Sequence, residues 1–256
     1  CDRLNVGLQL NSLSAWYFIV ADPAQLQEIL KLTLQTRLNE VNDLLTNTKE
    51  GTDVGQYSAD SRAELIAVQT DAQAVYDNTT STIDEITIAT NYVNQAIAAF
   101  KATINTDLTA FVSTNPQNYR WYNIRNYGTG VSYCFNKVIS SRNRTVGQKY
   151  IYEAKVDSLN DGQLFRFELS DDKMSIVNIV DKSGNYLSAN GTISSSSTSG
   201  NIFTIQPQTD GIAFYLQPST LAAPIRANES GTIDNWKYLA GGASSWVFDF
   251  AMELPK

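Results

Sequence analysis

The hydrophobic periodicity of this chain changes once, at Ser113-Thr114-Asn115-Pro116. Before this segment apolar residues recur every three to four positions, and after it they alternate every two. The first spacing is typical of amphipathic helices, and the second is typical of β-strands with one buried face. The sequence therefore predicts α and β structure in separate domains, which are joined by a short Pro-containing linker over residues 113–117.

Composition and charge restrict the function. The chain has 256 residues, of which 43% are hydrophobic, and this is enough for two domains with a core each. Residues 1–115 hold 14 acidic and 6 basic side chains, whereas residues 116–256 hold 12 and 13. Because an acidic surface repels phosphate backbones, we expect no nucleic-acid partner. The chain has no histidine, which is the commonest general base and metal ligand, so we expect a protein without catalytic residues, metal or cofactor.

Three helices are predicted between Pro23 and Val112, and each has a start signal. The start signals are Asp22-Pro23 for the first helix, Ser58 or Asp60 for the second, and a Thr82/Glu85 capping box for the third. The first helix is expected to end near Thr48 and the third to continue to Leu108. Their apolar stripes predict the mutual core of a three-helix bundle over residues 23–112. The stripes consist of Leu26, Leu30, Leu34, Leu38, Val41 and Leu45, then Leu65, Val68, Ala72, Val75 and Tyr76, then Ile86, Val93, Ile97, Phe100, Ile104 and Leu108.

Residues 24–105 resemble the FIVAR-type three-helix modules of bacterial cell-surface proteins. The resemblance lies in the glycine-containing connection Lys49 to Tyr57, in the second connection Asp77 to Glu85, and in the closing helix segment Gln95 to Lys101. Such modules serve as spacers or adhesive accessories and have no known catalytic residues. The resemblance therefore implies a surface protein in which this module has an accessory role.

The β part contains three imperfect copies of one unit of about 40 residues. The last strand of each copy centres on an aromatic residue, Phe165, Phe203 or Phe248, and these lie 38 and 45 positions apart. Each copy opens with an alternating strand, at residues 121–124, 176–179 and 212–216, and continues with a short second strand, at residues 133–135, 186–189 and 224–227. Threefold repetition with four strands per copy resembles a β-trefoil, which we expect over residues 118–256.

Within the trefoils, the copies are similar to ricin-type lectin domains, whose repeats end in a Gln-x-Trp motif. The first copy keeps the glutamine as Gln163 but has Phe165 in place of the tryptophan. Ser188 and Arg226 stand where that family has a sugar-binding aspartate. The resemblance implies a lectin-like protein with glycans or glycoconjugates as partners.

The third copy also contains residue types that suit sugar binding. Trp236 stands among polar neighbours, and a pyranose ring can stack on its indole while carboxylate and amide groups bond to the sugar hydroxyls. An alternative interpretation is that Trp236 fills the trefoil core and Tyr186 begins a buried strand. The predicted carbohydrate-binding residues are Asp234, Asn235, Trp236 and Tyr238 in the third copy, and Asp181, Asn185 and Tyr186 in the second.

The two cysteines bear on location. A chain that begins at Cys1 resembles a bacterial lipoprotein after signal cleavage, in which that cysteine carries the acyl chains. The alternatives are an end that happens to fall at a cysteine and a Cys1–Cys134 disulfide, although Cys134 reads more simply as a small buried strand residue. No stretch has the roughly 20 apolar residues needed to span a bilayer. We expect a cell-surface or extracellular protein that meets a membrane, the outer membrane of a bacterium, only through a lipid on Cys1.

The sequence thus predicts a non-enzymatic surface protein that binds carbohydrate through its trefoil. Two other classes of function stay open at this point, namely a structural spacer without a ligand and a carboxylate-based glycoside hydrolase. The secondary structure of the N-terminal segment, residues 1–22, also stays open.

Overall fold

The computed structural model describes residues 8–9, 15–16, 22–156, 161–197, 202–235 and 241–256. The chain divides into two compact units. We call residues 1–43 and 63–99 the helical unit, and residues 44–62 and 100–256 the β unit. Near the N-terminus, the two-residue strands β1 (Leu8–Gln9) and β2 (Ala15–Trp16) pair with each other in an antiparallel manner.

The three predicted helices are present as α1 (Pro23–Asn47), α2 (Ala59–Asp77) and α3 (Ile83–Ala102). None of them, nor any other described helix, has the length and hydropathy that a bilayer span requires. The core of the helical unit consists of the central residues of the predicted stripes, which are almost fully buried. These residues are Leu34, Leu38, Val41, Leu65, Ala72, Ile86, Val93 and Ile97, and Ala89, which the stripes did not include, is buried with them.

The predicted helix starts are confirmed by hydrogen bonds. Asp22 Oδ1 accepts from the N–H of Ala24, the second residue of α1, at 3.0 Å, and Ser58 Oγ accepts from the N–H of Ser61 in α2 at 3.2 Å. At the start of α3, the N–H of Thr82 donates to Glu85 Oε2 at 2.7 Å, and the N–H of Glu85 donates to Thr82 Oγ1 at 3.2 Å. Each side chain satisfies a backbone donor that has no partner inside the helix.

The end of α3 differs from the prediction. The helix stops at Ala102 and does not continue to Leu108. The backbone at Asn105 pairs with the loop between α1 and α2, because its N–H donates to the carbonyl of Gln56 at 2.9 Å and its carbonyl accepts from Gly55 at 2.8 Å. Gly55 has φ +83°, a conformation that a side chain disfavours, and an added Cβ would lie 3.0 Å from the ring of Phe214. Tertiary pairing thus replaces the next turn of helix.

The β unit contains four strands in each of the three predicted copies, within the residues that the structure describes. The first copy has β3 (Asn118–Asn126), β4 (Val138–Ser140), β5 (Ile151–Glu153) and β6 (Phe165–Leu169). The second has β7 (Ile176–Asp181), β8 (Tyr186–Leu187), β9 (Ile193–Ser194) and β10 (Phe203–Pro207). The third has β11 (Phe214–Pro218), β12 (Ile225–Ala227), β13 (Ile233–Asn235) and β14 (Trp246–Pro255).

The first and last strands of the copies form a closed barrel. Strand β3 pairs with β6, β6 with β7, β7 with β10, β10 with β11, β11 with β14, and β14 with β3, and every pair is antiparallel. The middle strands of each copy form a hairpin, so that β4 pairs with β5, β8 with β9, and β12 with β13. A closed six-stranded barrel with three hairpins, one per copy, is the β-trefoil arrangement. The predicted fold class, three helices and a β-trefoil, is confirmed.

Two strand assignments in the first copy were wrong. Residues 133–135 form a turn, in which the N–H groups of Cys134 and Phe135 both donate to the carbonyl of Val131 and Asn136 has φ +59°. The second strand of this copy is β4, which begins at Val138. Gln163 ends a short 3-10 helix and precedes β6, although the sequence placed it in the strand. Alternation of apolar residues in the sequence does not distinguish a strand from a tight turn, and of residues 133–135 only Cys134 is buried.

The core of the β unit includes a residue from before the predicted linker. Residues 108–111 form a 3-10 helix, and Phe111 is 1% exposed. Its ring stacks on Phe167 at 4.0 Å between centroids and meets Tyr122 and Phe248 edge to face. Aromatic pairs of this kind stabilise a core beyond their buried area. The predicted linker therefore lies inside the β unit.

Residues 44–62 also belong to the β unit. Tyr57 stacks on Phe100 at 4.0 Å, and its hydroxyl donates to the carbonyl of Gly211 at 2.5 Å. Burial raises the pKa of Tyr57, and the charge of Asp210 adds to this effect.

The division into separately folding segments at residues 113–117 stays a prediction, which limited proteolysis would test.

Candidate functional site

The structure describes two of the carbohydrate-binding residues that are predicted in the third copy, Asp234 and Asn235. Both lie in the hairpin of this copy. Its strands β12 and β13 pair Ile225 with Asn235, Arg226 with Asp234 and Ala227 with Ile233. Ile225, Ala227 and Ile233 are fully buried. Because successive side chains in a strand alternate between faces, Arg226 and Asp234 lie together on the outer face.

A polar cluster covers this outer face. Asp234 accepts from Arg226 Nε at 3.0 Å and from Asn228 Nδ2 at 2.6 Å, so each carboxylate oxygen has a donor. The side chains of Arg226 and Asp234 are 19% and 22% exposed. Asn228 also accepts from the N–H of Thr232 and from the hydroxyl of Ser230, and these bonds close the turn. The cluster is therefore ordered by its own hydrogen bonds and remains accessible. We call Arg226, Asn228 and Asp234 the third-hairpin cluster.

Side chains of the first copy border this cluster. The hydroxyl of Tyr152 donates to the carbonyl of Asn228 at 2.5 Å, and that of Tyr133 lies 3.4 Å from the carbonyl of Ala227. Burial raises the pKa of both tyrosine hydroxyls. Burial lowers the pKa of Lys149, and the nearby charge of Asp234 opposes that effect. Both phenols are thus neutral hydrogen-bonding groups beside the cluster at neutral pH.

Sequence reasoning missed these three neighbours. Tyr133 was assigned to a strand, and no pattern in the sequence links residues 133–152 to residues 226–234. The connection comes from backbone pairing between copies, since the N–H of Ile233 donates to the carbonyl of Tyr150 at 2.8 Å. The aromatic content of the first copy was the only available signal, and it is equally typical of a trefoil core.

The other predicted residues of the third copy are not part of the third-hairpin cluster as the structure describes it. Asn235 donates through Nδ2 to the carbonyl of Ala223, so its amide is engaged with the neighbouring loop. Trp236 and Tyr238 lie outside the described residues. Cys1, the predicted lipidation residue, also lies outside them.

The predicted set of the second copy occupies a different environment. Asp181, the last residue of barrel strand β7, is 1% exposed. Its carboxylate accepts from the hydroxyl of Tyr150 at 3.2 Å and from the N–H of Asn185 at 2.9 Å. Burial raises the pKa of Tyr150, and the charge of Asp181 adds to this shift. Tyr186 is half-buried in β8. The structure therefore brings Asp181 and Asn185 together as the support of a turn, and it does not place them with the third-hairpin cluster.

The first copy uses its motif glutamine structurally. Gln163 is buried. Its amide nitrogen Nε2 donates to Glu153 Oε1 and to the carbonyl of Ala154, each at 3.0 Å. Its Oε1 accepts from the N–H of Val156 at 2.9 Å. Glu153 also forms an ion pair with Arg142. The glutamine thus connects β5 and the residues after it to the segment that precedes β6 by hydrogen bonds.

The described residues also bear on metal binding and on cysteine chemistry. No group of three or more Cys, Asp or Glu side chains there is arranged to hold a metal ion. Cys134 is a free thiol that is fully buried, as predicted, although it lies in a turn and not in a strand, and burial raises its pKa to about 11. A thiol with such a pKa is protonated at neutral pH and is a poor nucleophile.

Comparisons with known proteins give no family for this chain. No known protein family matches it, and no curated protein matches it either. Among solved structures, the designed threefold-symmetric protein ThreeFoil is 16% identical over 50% of this chain and 97% of its own, with a TM-score of 0.40. The Rhizoctonia solani agglutinin is 14% identical over 51% of this chain and 94% of its own, also with a TM-score of 0.40.

Two larger proteins match as well. The GlcNAcα1-4Gal-releasing endo-β-galactosidase from Clostridium perfringens is 17% identical over 52% of this chain, with a TM-score of 0.38, and a mosquitocidal holotoxin is 13% identical over 52%, with a TM-score of 0.43. The matched part spans only 33% and 17% of those two proteins. At these TM-scores the fold assignment rests on the strand pairing described above.

Proposed function

We propose that this chain binds carbohydrate through the third-hairpin cluster. The observation that carries the proposal is the placement of Arg226, Asn228 and Asp234 on one accessible face of β12–β13, where both hydrogen-bond donors and acceptors are held in fixed positions. Sugar hydroxyls donate and accept at once, so a site for them needs both kinds of group. Trp236 follows β13 directly in the sequence and supplies the indole on which a pyranose ring can stack.

The departure from the ricin-type pattern changes the proposed chemistry. That family's sugar-binding aspartate is replaced by Arg226, whose guanidinium donates to Asp234 across the hairpin. An arginine donates only, whereas an aspartate accepts only. The acceptor on this hairpin is therefore Asp234, and the donor to the ligand is Arg226, since the amide hydrogens of Asn228 are bonded to Asp234 and Thr232.

A glycan array followed by isothermal titration calorimetry tests the proposal. We expect a glycan with micromolar to millimolar affinity, and we expect Trp236→Ala and Asp234→Asn each to weaken it by about tenfold or more, which corresponds to about 1.4 kcal/mol. Matched controls are Tyr92→Ala and Asp84→Asn, which remove an exposed aromatic ring and an exposed carboxylate from α3. The controls should bind as the unmodified chain does. Circular dichroism should show that all four variants remain folded.

The same experiment separates the alternative functions. No binding to any glycan would favour a structural spacer without a ligand. Hydrolysis of a bound glycan, lost on changing a single carboxylate, would favour a glycoside hydrolase. Equal loss in the variants and in their controls would exclude the third-hairpin cluster as the site.

We also propose that the protein works at a bacterial cell surface or outside the cell, with the three helices as a spacer or adhesion accessory. The FIVAR-type resemblance of residues 24–105 supports this proposal. Acylation of Cys1 would supply a membrane anchor. Membrane fractionation of the native protein, compared with Cys1→Ser, tests the anchor. Native protein that is wholly soluble and carries an unmodified N-terminal mass would argue for secretion without an anchor.

A further inference from the structure

A second concave site lies in the β unit, away from the third hairpin. It has a volume of about 690 Å³ and lies between residues 109–116, the start of β3, and β6 with the turn that follows it. This volume falls within the range of small-molecule binding sites, roughly 300–1,000 Å³. Four cationic and two anionic side chains line it, namely Arg120, Arg166, Lys173 and Lys256, and Glu168 and Asp171. We call it the basic cleft.

The two arginines of the basic cleft are held in place by the protein. Arg120 donates to the carbonyl of Ala110 at 2.6 Å and to Asp53 Oδ1 at 2.7 Å. Arg166 forms an ion pair with Glu168, and its guanidinium carbon lies 4.3 Å from the centroid of the Tyr119 ring. Their positions are therefore fixed before any ligand arrives, which lowers the entropic cost of binding. The Nε–H of Arg120 is buried and has no acceptor among the described residues.

The two lysines supply charge that the protein does not neutralise by contact. None of the ion pairs found among the described residues includes Lys173 or Lys256. The ammonium of Lys256 lies 5.2 Å from the ring centroid of Tyr119. The charge of Lys173 contributes to the lowered pKa of Asp107, after the hydrogen bonds from Thr109, but makes no ion pair with it. Both ammonium groups are therefore available to an anion.

The conformation of Lys173 supports a binding role. Its φ is +59°, in the left-handed region that lysine rarely adopts and that glycine or asparagine adopts with less strain. Strain of this kind occurs at functional sites when the surrounding structure maintains it. The strained turn places Lys173 among the residues that line the basic cleft.

We propose that the basic cleft binds an acidic saccharide, that is, a sugar that carries carboxylate or sulfate groups. The lysines and arginines attract the anionic group, and the polar side chains of Ser113, Thr114, Asn118 and Ser170 on the same walls donate to and accept from the sugar hydroxyls. The chain as a whole has a net charge of -7, so this local surplus of cations runs against its average charge. The inference goes beyond the proposed function, because it concerns a different surface and does not depend on the third-hairpin cluster.

The test compares two double variants by isothermal titration calorimetry. Lys173→Asn/Lys256→Gln removes both free charges, and asparagine tolerates the left-handed turn. Arg144→Gln/Lys155→Gln is the matched control, because it removes the same charge from exposed positions that do not line the cleft. The probes are tetragalacturonate, a heparin-derived tetrasaccharide, maltotetraose and sodium sulfate, each at about 50 and 300 mM salt, since screening weakens exposed charge interactions.

We expect at least one acidic tetrasaccharide to bind the unmodified chain, to bind the cleft variant about tenfold more weakly, and to bind the control unchanged. Binding of only one of the two identifies the anionic group as carboxylate or sulfate. The proposal is overturned if neither binds, if maltotetraose or sulfate alone binds as tightly, or if the control loses as much. Trp236→Ala should leave this binding intact, so loss there would assign the acidic ligand to the third hairpin and overturn the cleft as well.

Discussion

The second and third trefoil copies show the same residue types in two different roles. In both copies an aspartate lies near an asparagine, and the sequence predicted both pairs as sugar ligands. Asp181 is 1% exposed and accepts from Tyr150 and from Asn185, whereas the Asp234 side chain is 22% exposed and faces outward. Asp181 ends a barrel strand and Asp234 lies in a hairpin strand. The position of a carboxylate in the copy thus decides whether it supports the fold or is available to a ligand.

The largest expected effect is on stability, and it compares the two aspartates directly. Asp181→Ala removes the acceptor of the Asn185 N–H and leaves the Tyr150 hydroxyl with only the Asn185 carbonyl at 3.5 Å, so we expect it to lower the free energy of unfolding by about 3 kcal/mol. Asp234→Ala removes a partly exposed ion pair and should cost about 1 kcal/mol or less. Urea denaturation with an unchanged m-value measures both. Equal losses would mean that the two sites do not differ in the way that their burial indicates.

The next effect compares two tyrosine hydroxyls. The hydroxyl of Tyr150 lies 3.2 Å from Asp181 Oδ2 inside the β unit, and that of Tyr133 lies 3.4 Å from the carbonyl of Ala227. Tyr150→Phe removes a hydrogen bond to a buried carboxylate and should cost about 1.5 kcal/mol. Tyr133→Phe removes a long bond near the surface and should cost roughly 0.5 kcal/mol or less. The midpoints of thermal or urea unfolding decide this, and a larger loss in Tyr133→Phe would contradict the comparison.

The first copy adds a third carboxylate, and its expected effect is the smallest and depends on pH. Burial alone would raise the pKa of Glu153, but hydrogen bonds from Ser140, Arg142 and Gln163 outweigh it and hold the pKa below its usual 4.5. Because the pKa is lower in the folded state than in the unfolded state, the group stabilises the fold above the unfolded pKa, and this contribution is lost as the pH falls through the folded pKa.

Glu153→Gln should therefore destabilise the protein at pH 7. The difference in unfolding free energy between the variant and the unmodified chain should become smaller as the pH falls below 4.5. The difference in unfolding free energy between the two proteins, measured from about pH 7 to pH 3, gives the result. A difference that stays constant over this range would show that the charge of Glu153 contributes nothing. A difference that grows at low pH would show that folding raises the pKa of Glu153 instead of lowering it.

Much of the fold could be predicted from local signals. The N-caps Asp22 and Ser58 and the Thr82/Glu85 box are short-range hydrogen-bonding patterns, so they are legible in any window of a few residues. The trefoil could be predicted for another reason, because three similar copies must each supply strands to one closed barrel. The site was less predictable, because Tyr133, Tyr152 and Lys149 approach the third-hairpin cluster from about 75 to 95 residues away in the chain, a separation that follows from the pairing between copies.

By itself the sequence determined the three helices and the threefold repeat of the strands, through the spacing of apolar residues and the caps. Only the tertiary structure decided where α3 ends, because the backbone of Asn105 pairs with Gly55 and Gln56, and it alone assigned Phe111 to the core of the β unit. It also decided that Asp181 is buried and Asp234 accessible. The physical reason is that periodicity records which face of an element is apolar, whereas burial of a polar group depends on partners that arrive from distant parts of the chain.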